Sequence, residues 1–429
     1  MLSPRWHQVE SARVVAVAVI AVVALVAASC GQGGEISVGE DRDATPRPGE
    51  GVPDGAAPGE GGGDAPAIET IPGMPPVIDP TNLYSEIRAN NLAPGVEGHR
   101  YLVYVPNERS GSVTVIDPTT YQVIDAFETG FIPQHVVPSF DLQTLYVLNN
   151  NGDSITPIDP VTGKPGKNMA IDNPYNLYWT PDSSSAMVVA EGQQRLYFRD
   201  PHTLEVQDMM QTECDGLNHV DFSIDGAYLV ATCEFEGSII KVDWRNREMV
   251  AKIAVDPSHV VSGGYKPFPM PQDVRISPDG STYYVADMIS NGIHVIDGET
   301  FTQTGFIPTG RGAHGLYPSR DGRLLYIVNR GSNTFDVVRG EGSISILDFA
   351  TNEVLETVPI PDGGSPDMGN FTPDGTELWL GGRYDAEVYV FNTVSKTFTH
   401  RIPVGQGPHG LTIWPQPGRY SLGHTGNMR

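Results

Sequence analysis

One ten-residue unit recurs down this chain at near-regular intervals, and few folds accommodate it. Its fullest copy is Pro271-Gln-Asp-Val-Arg-Ile-Ser277-Pro-Asp-Gly280, followed directly by Thr282-Tyr-Tyr-Val-Ala-Asp287. The unit reads as a short apolar strand, a tight turn and a second strand, because Pro, Asp and Gly each favour a turn for a separate backbone reason. Aligned on the residue before the turn, the copies fall at Ser139, Thr180, Ser223, Ser277, Ser319, Thr372 and Trp414, with spacings of 41, 43, 54, 42, 53 and 42.

A second signal keeps step with the first. Apolar strands end in Asp117-Pro-Thr-Thr, Asp159-Pro-Val-Thr, Asp200-Pro-His-Thr, Asp243-Trp-Arg-Asn, Asp297-Gly-Glu-Thr, Asp348-Phe-Ala-Thr and Asn392-Thr-Val-Ser. Two turn-bounded signals per repeat, flanked by β-branched and aromatic residues, give about four strands per unit of roughly 40 residues. The chain is therefore predicted to be all-β, a seven-bladed β-propeller. The first Asp-Pro turn, at Asp117, has no Ser-Pro-Asp-Gly unit ahead of it, and the last such unit, His409–Trp414, has no blade after it. The C-terminus should then supply the innermost strand of blade 1 and remove both exposed sheet edges.

The N-terminal residues read differently. Arg5 and Arg13 precede an unbroken apolar run from Val14 to Ala28, and Ala27-Ala-Ser-Cys30 follows. The run is shorter than the roughly 20 residues of a membrane span, so residues 1–30 read as an export signal. The ending resembles the lipobox of bacterial lipoproteins, with Ala27 in place of the usual leucine, and so implies Cys30 as a lipidation site. From residue 31 to about 80 the chain is rich in Gly, Pro, Asp and Glu, the composition of a flexible tether. Residues from Pro76 to Gly98 then lead along the propeller surface, so that 31–97 is linker and lead-in and 98–429 is propeller.

Cys214 and Cys233 are the remaining cysteines, placed so that pairing around Asp225-Gly226 brings them together. They read as a disulfide in an oxidising compartment, or as two reduced thiols in a strand environment. The net charge of −25, with no basic run in the propeller, excludes nucleic acid and an anionic membrane surface as partners.

Segments such as Pro408-His-Gly-Leu411, Pro318-Ser-Arg-Asp-Gly-Arg-Leu-Leu-Tyr-Ile-Val-Asn329 and Ser343-Ile-Ser-Ile-Leu-Asp348 resemble the YVTN family of β-propeller repeats. That family is similar in turn to the propeller domain of cytochrome-type nitrite reductases and to the β-propeller subunits of quinoprotein amine dehydrogenases. The resemblance covers residues 98–429. It implies the fold, while enzymes, haem carriers and binding proteins all occur in the family.

Function must come from the sites. The two long repeats carry their extra residues at Asp256–Phe268, between blades 4 and 5, and at Asn329–Gly340, within blade 6. In a propeller both positions open on one face, where binding loops on a rigid scaffold tend to sit. Near the start of the inner strands six blades carry His135, His219, Asp273, His314, Asp367 and His409, with Asn176 in blade 3. Their register against the turn differs by one residue between blades 2–5 and blades 6, 7 and 1. Since neighbouring strand residues face opposite ways, two half-rings are expected rather than one, which argues against a multinuclear copper site. A one-residue bulge at the strand start would merge them. His135, His219, His314 and His409 are the metal-ligand candidates, and no Cys-x-x-Cys-His for covalent haem occurs.

Eleven residues after the turn anchor, blades 6 and 7 carry Arg330 and Arg383, and blade 1 has Arg109 one position later; blades 2 to 5 carry Asn150, Glu191, Glu234 and Met288. With His314, Asp367 and His409 the arginines are expected to form an electropositive sector for a carboxylate or phosphate, unless local acids such as Glu108 or Asp385 pair with them. Two readings of different class follow. The favoured one is an exported, membrane-tethered, monomeric scaffold that holds an anionic small molecule or an envelope protein on its insertion-bearing face. The alternative is a haem- or metal-linked redox protein of the nitrite-reductase propeller type, a histidine serving as axial ligand and the arginines holding the cofactor's carboxylates. Lactonase-like hydrolysis is a third possibility, for which the sequence offers no matched carboxylate and base.

Overall fold

The turns behave as the repeat chemistry requires. In the computed structural model, which describes residues 66–335, 339–424 and 426–429, the Ser277 hydroxyl donates to Asp279 Oδ1 at 2.5 Å and the Ser281 N–H donates to the same oxygen at 3.0 Å. The Thr282 N–H donates to Ser277 Oγ at 3.0 Å, and Gly280 takes the left-handed φ of +76° that closes the turn. Blade 7 repeats this with Thr372 and Asp374. The export signal, Cys30 and the Gly/Pro-rich stretch as far as residue 65 lie outside the described residues. The chain divides near residue 61, and the described residues all belong to the second unit. Among them no helix is long and apolar enough to cross a membrane.

Seven antiparallel sheets follow in chain order. Blade 4 is typical, with strands Leu217–Phe222, Leu229–Cys233, Ser238–Asp243 and Glu248–Ala254 from the inside outward. The two inner strands are buried at every residue, because neighbouring blades cover both faces, while the outer strand alternates exposed and half-buried positions. Blade 1 is closed by the C-terminal strand Thr412–Trp414, which pairs antiparallel with Leu102–Asn107 in the register Leu102↔Trp414 and Tyr104↔Thr412. The propeller and its closure are thus as the repeats predict.

The inner strands are not regular. In blades 2, 4, 5, 6 and 7 the register slips by one residue at the strand start, as between Leu217 and Val220 or Ala313 and Leu316. Each slip is a β-bulge that takes one N–H out of its ladder. The freed donors are met across blades: Val220 N–H by the Tyr178 hydroxyl at 2.8 Å, Leu316 N–H by Asp273 Oδ2 at 2.9 Å, and Gly369 N–H by the Tyr317 hydroxyl at 2.7 Å. Blade-to-blade cohesion therefore rests partly on polar side chains of the channel wall.

Residues 71–98, read from the sequence partly as tether and partly as a surface lead-in, pack into the same body. Ile71 N–H donates to Asp225 O, and Leu83 N–H to Pro278 O at 2.8 Å. Leu83, Tyr84, Ile87 and Val96 join a core cluster with Val136, Val274 and Trp414. The apolar residues spaced through this polar stretch are what fix it. On the same face the chain beyond Trp414 forms a hairpin: Leu422 N–H donates to Asn427 O, Arg429 N–H to Tyr420 O, and the strand-side carbonyl of Leu177 accepts the His424 N–H at 3.0 Å. At its tip Gly423 has φ +95°, and a Cβ there would lie 2.2 Å from Leu177 O, so only glycine lets the hairpin reach the channel wall.

Candidate functional site

The bulges bring the two expected half-rings together. Where two residues of one strand oppose one of its partner, consecutive side chains no longer alternate strictly, and positions one residue apart reach the same channel. His135 of blade 2 stands 5.7 Å from His219 of blade 4 and 4.7 Å from His409 of blade 1, ring centroid to centroid. His314 lies 6.4 Å from His409, and both face Asp367, whose carboxylate oxygens are 3.2 Å from His314 Nδ1 and 3.3 Å from His409 Nε2. The separation into two rings is thus corrected: these side chains line one buried layer across the channel. None of the four histidines is more than 2% exposed.

Sequence reasoning missed one member. His424, at the tip of the C-terminal hairpin, inserts between the blades, 4.5 Å from His219 and 5.4 Å from His135. It belongs to no repeat; the Gly residues at 423 and 426 that flank it were the available signal. Its Nε2 lies 3.4 Å from Asp273 Oδ1. Below this layer Arg275 and the C-terminal Arg429 face Asp273 and Asp221, with Arg275 Nη1 3.6 Å from Asp273 and Arg429 Nη2 3.0 Å from Asp221.

The electropositive sector is corrected as well. Arg330 is buried and binds Asp367 Oδ1 through Nε at 3.0 Å and through Nη2. Arg383 spans Asp367 Oδ2 at 3.2 Å and Glu108 Oε2 at 2.8 Å. An unpaired guanidinium is expensive to bury, so the one buried carboxylate of this sector draws both. Arg109 stays apart: it is exposed, with its guanidinium carbon 5.8 Å from the centroid of the Tyr384 ring. Opposite these arginines, Glu234 is hydrogen-bonded to Asn218.

The protonation states follow from burial. Desolvation lowers the His135 pKa to about 3, and lowers that of His314 to about 3 with the Arg330 charge adding to it. Desolvation also holds His219, His409 and His424 well below the ordinary imidazole value. Burial raises Asp367, but Arg330 and the facing histidines outweigh it and hold the carboxyl well below its usual range. Glu191 and Glu234 are both pushed upward, chiefly by burial. Neither ring nitrogen of His135 has a hydrogen-bond partner, nor does His219 Nε2, while His219 Nδ1 lies 3.4 Å from the Asn176 amide.

Around this layer the two insertions meet on the face predicted for them. Tyr265 N–H donates to Asn333 O at 2.8 Å, and the Tyr265 and Phe335 rings pack edge to face at 4.6 Å. Cys214 and Cys233 form a disulfide with an S–S distance of 2.02 Å. A groove of about 480 Å³ between the turns of blades 5 and 6, beside Thr81, is lined by turn groups such as Asp279 that are already engaged in their own turns.

Known structures share this fold. Hydrazine synthase of Kuenenia stuttgartiensis matches with 19% identity over 64% of this chain and 87% of that one, at a TM-score of 0.52. The dihydro-heme d1 dehydrogenase NirN, solved in complex with DHE, matches with 16% identity over 72% of this chain and 74% of that one, at 0.53. A functionally unknown protein from Desulfotomaculum acetoxidans matches with 14% identity over 73% of this chain and 99% of that one, at 0.58. At these identities the likeness is one of fold. No protein of curated function matches in sequence. The YNCE-like beta-propeller family matches residues 138–263 and 270–417, which takes in all seven turn anchors and the C-terminal strand that closes blade 1, and the chain belongs to that family.

Proposed function

We propose that this chain is an exported binding propeller, tethered through Cys30, that takes a small anionic ligand at the rim where blades 7 and 1 meet. The observation that carries this reading is Arg109. It is exposed, it makes no ion pair among the described residues, and it lies over Tyr384, whose buried hydroxyl has no hydrogen-bond partner. Arg383 stands beside it on Glu108, so an incoming carboxylate or phosphate meets one free guanidinium, one phenol and the edge of an ion pair. Of the three arginines expected from the sequence, only Arg109 has binding capacity to spare. A disulfide within blade 4 supports export, since such bonds persist in oxidising compartments.

The test is calorimetric titration of the full chain with a small dicarboxylate and with inorganic phosphate at low salt. Binding tighter than about 1 mM is expected for at least one of them, weakened about tenfold or more in Arg109→Ala. Because Arg109 is exposed, that variant should melt like the parent. No binding of either anion, or an unchanged affinity in the variant, would overturn the reading.

A further inference from the structure

We propose that the channel holds one divalent transition-metal ion of the zinc or copper type, with His219, His424 and Asp273 as ligands and His135 beside them. This site is distinct from the anion rim and does not rest on it. One ligand atom each from His219, Asp273 and His424 lies within 4.8 Å of the others, and all three residues are buried. Imidazoles that share an ion with metal–nitrogen bonds of about 2.0–2.1 Å stand, at tetrahedral angles, about 5.2 Å apart between ring centroids. The two ligand imidazoles, His219 and His424, stand 4.5 Å apart, somewhat closer than that, and His135 lies further out at 5.4 Å from His424 and 5.7 Å from His219.

Both ring nitrogens of His135 and Nε2 of His219 are fully buried without a hydrogen-bond partner, which an apolar or hydrogen-bonded packing role does not explain. His294 differs from His135: it is equally buried and its Nδ1 has no hydrogen-bond partner, but its Nε2 lies 3.0 Å from Asp287, and Asp287 Oδ1 accepts the N–H groups of Met270, Ile289 and Ser290.

The ligands are oriented by groups around them. Asp273 is fixed by the N–H groups of Val274 and Leu316. His424 is fixed by its own N–H on Leu177 O and by Gly423 packed against the wall. A donor set of imidazoles and one carboxylate, with no thiolate, suits zinc or copper rather than calcium or magnesium, which take oxygen ligands. Because one ligand comes from the C-terminal hairpin, the ion would pin that hairpin inside the channel.

The buried site calls for loading during folding. The full chain is expressed through an exporting host in medium supplemented with Zn²⁺ or Cu²⁺, dialysed, and its metal content measured. About one equivalent per chain is expected in the parent and in His202→Gln, an exposed-histidine control, against less than a tenth of an equivalent in His219→Gln and His424→Gln. A metal-free parent, or full occupancy in both ligand variants, overturns the proposal. Where the variants fail to fold, the copper-loaded parent decides: its electron paramagnetic resonance spectrum should show coupling to two or more imidazole nitrogens, and a spectrum with none would reject the site.

Discussion

At the scale of the residue, the centre of the channel is set by what burial does to charge. Asp367 remains ionised because Arg330, His314, His409 and Arg383 surround it, and the arginines are in turn spent on Asp367 and Glu108. The histidines stay neutral because burial disfavours the charged imidazole, and this has a measurable consequence. In the unfolded chain each takes up a proton near pH 6.5, whereas His135 and His314 in the folded protein do so only near 3. A folded pKa below the unfolded one means that their contribution to stability is complete above about pH 6.5 and is lost as pH falls toward 3. The free energy of unfolding should therefore drop between about pH 7 and about pH 5, by up to about 1.4 kcal/mol per pH unit for each such imidazole. Denaturant unfolding at the two pH values checks this. His135→Gln should flatten the slope by one such increment, and an equal slope in parent and variant would contradict the assignment.

At the scale of the element, the inner strand is where sequence pattern and structure part. Its turn end follows the local chemistry of Ser, Asp and Gly, while its other end carries the bulge that redirects His135, His219 and Asp273. Blade 4 adds a covalent tie between the start of its first strand and the end of its second, closing a sequence separation of 19 residues. Chain-entropy reasoning puts the worth of such a loop at about 3 kcal/mol, so the Cys214→Ser/Cys233→Ser pair should lower unfolding free energy by roughly that amount in denaturant titrations. A loss below about 0.5 kcal/mol would show that the blade is held by its strand ladders and core alone.

At the scale of the whole molecule, the ring is closed twice over by the C-terminus. Thr412–Trp414 completes blade 1, and the chain beyond it brings His424 to the channel histidines and places Arg429 on the buried Asp221. The two closures should separate on truncation. Ending the chain after Trp414 should leave a β-rich propeller that unfolds cooperatively at lower denaturant, with about 3 kcal/mol lost along with the Asp221 partner. Ending it after Gly407 should abolish cooperative unfolding, because blade 1 then exposes an unpaired edge. Circular dichroism with denaturant titration distinguishes the outcomes; equal behaviour of the two truncations would mean that strand closure is dispensable.

What the sequence alone determined was everything governed by short range: the seven repeats, the turn types, the closing strand, the shared face of the two insertions and the proximity of Cys214 to Cys233. These follow from residue periodicity and turn chemistry, which act within a few positions of the chain. What only the tertiary structure decided was direction and company. A one-residue bulge leaves the composition of a strand unchanged yet turns His135 and His314 toward the same channel, and whether Arg330 is free or spent depends on Asp367, 37 residues away. His424 enters the site from outside every repeat, carried there by a hairpin whose seat on Leu177 exists only once the ring has closed.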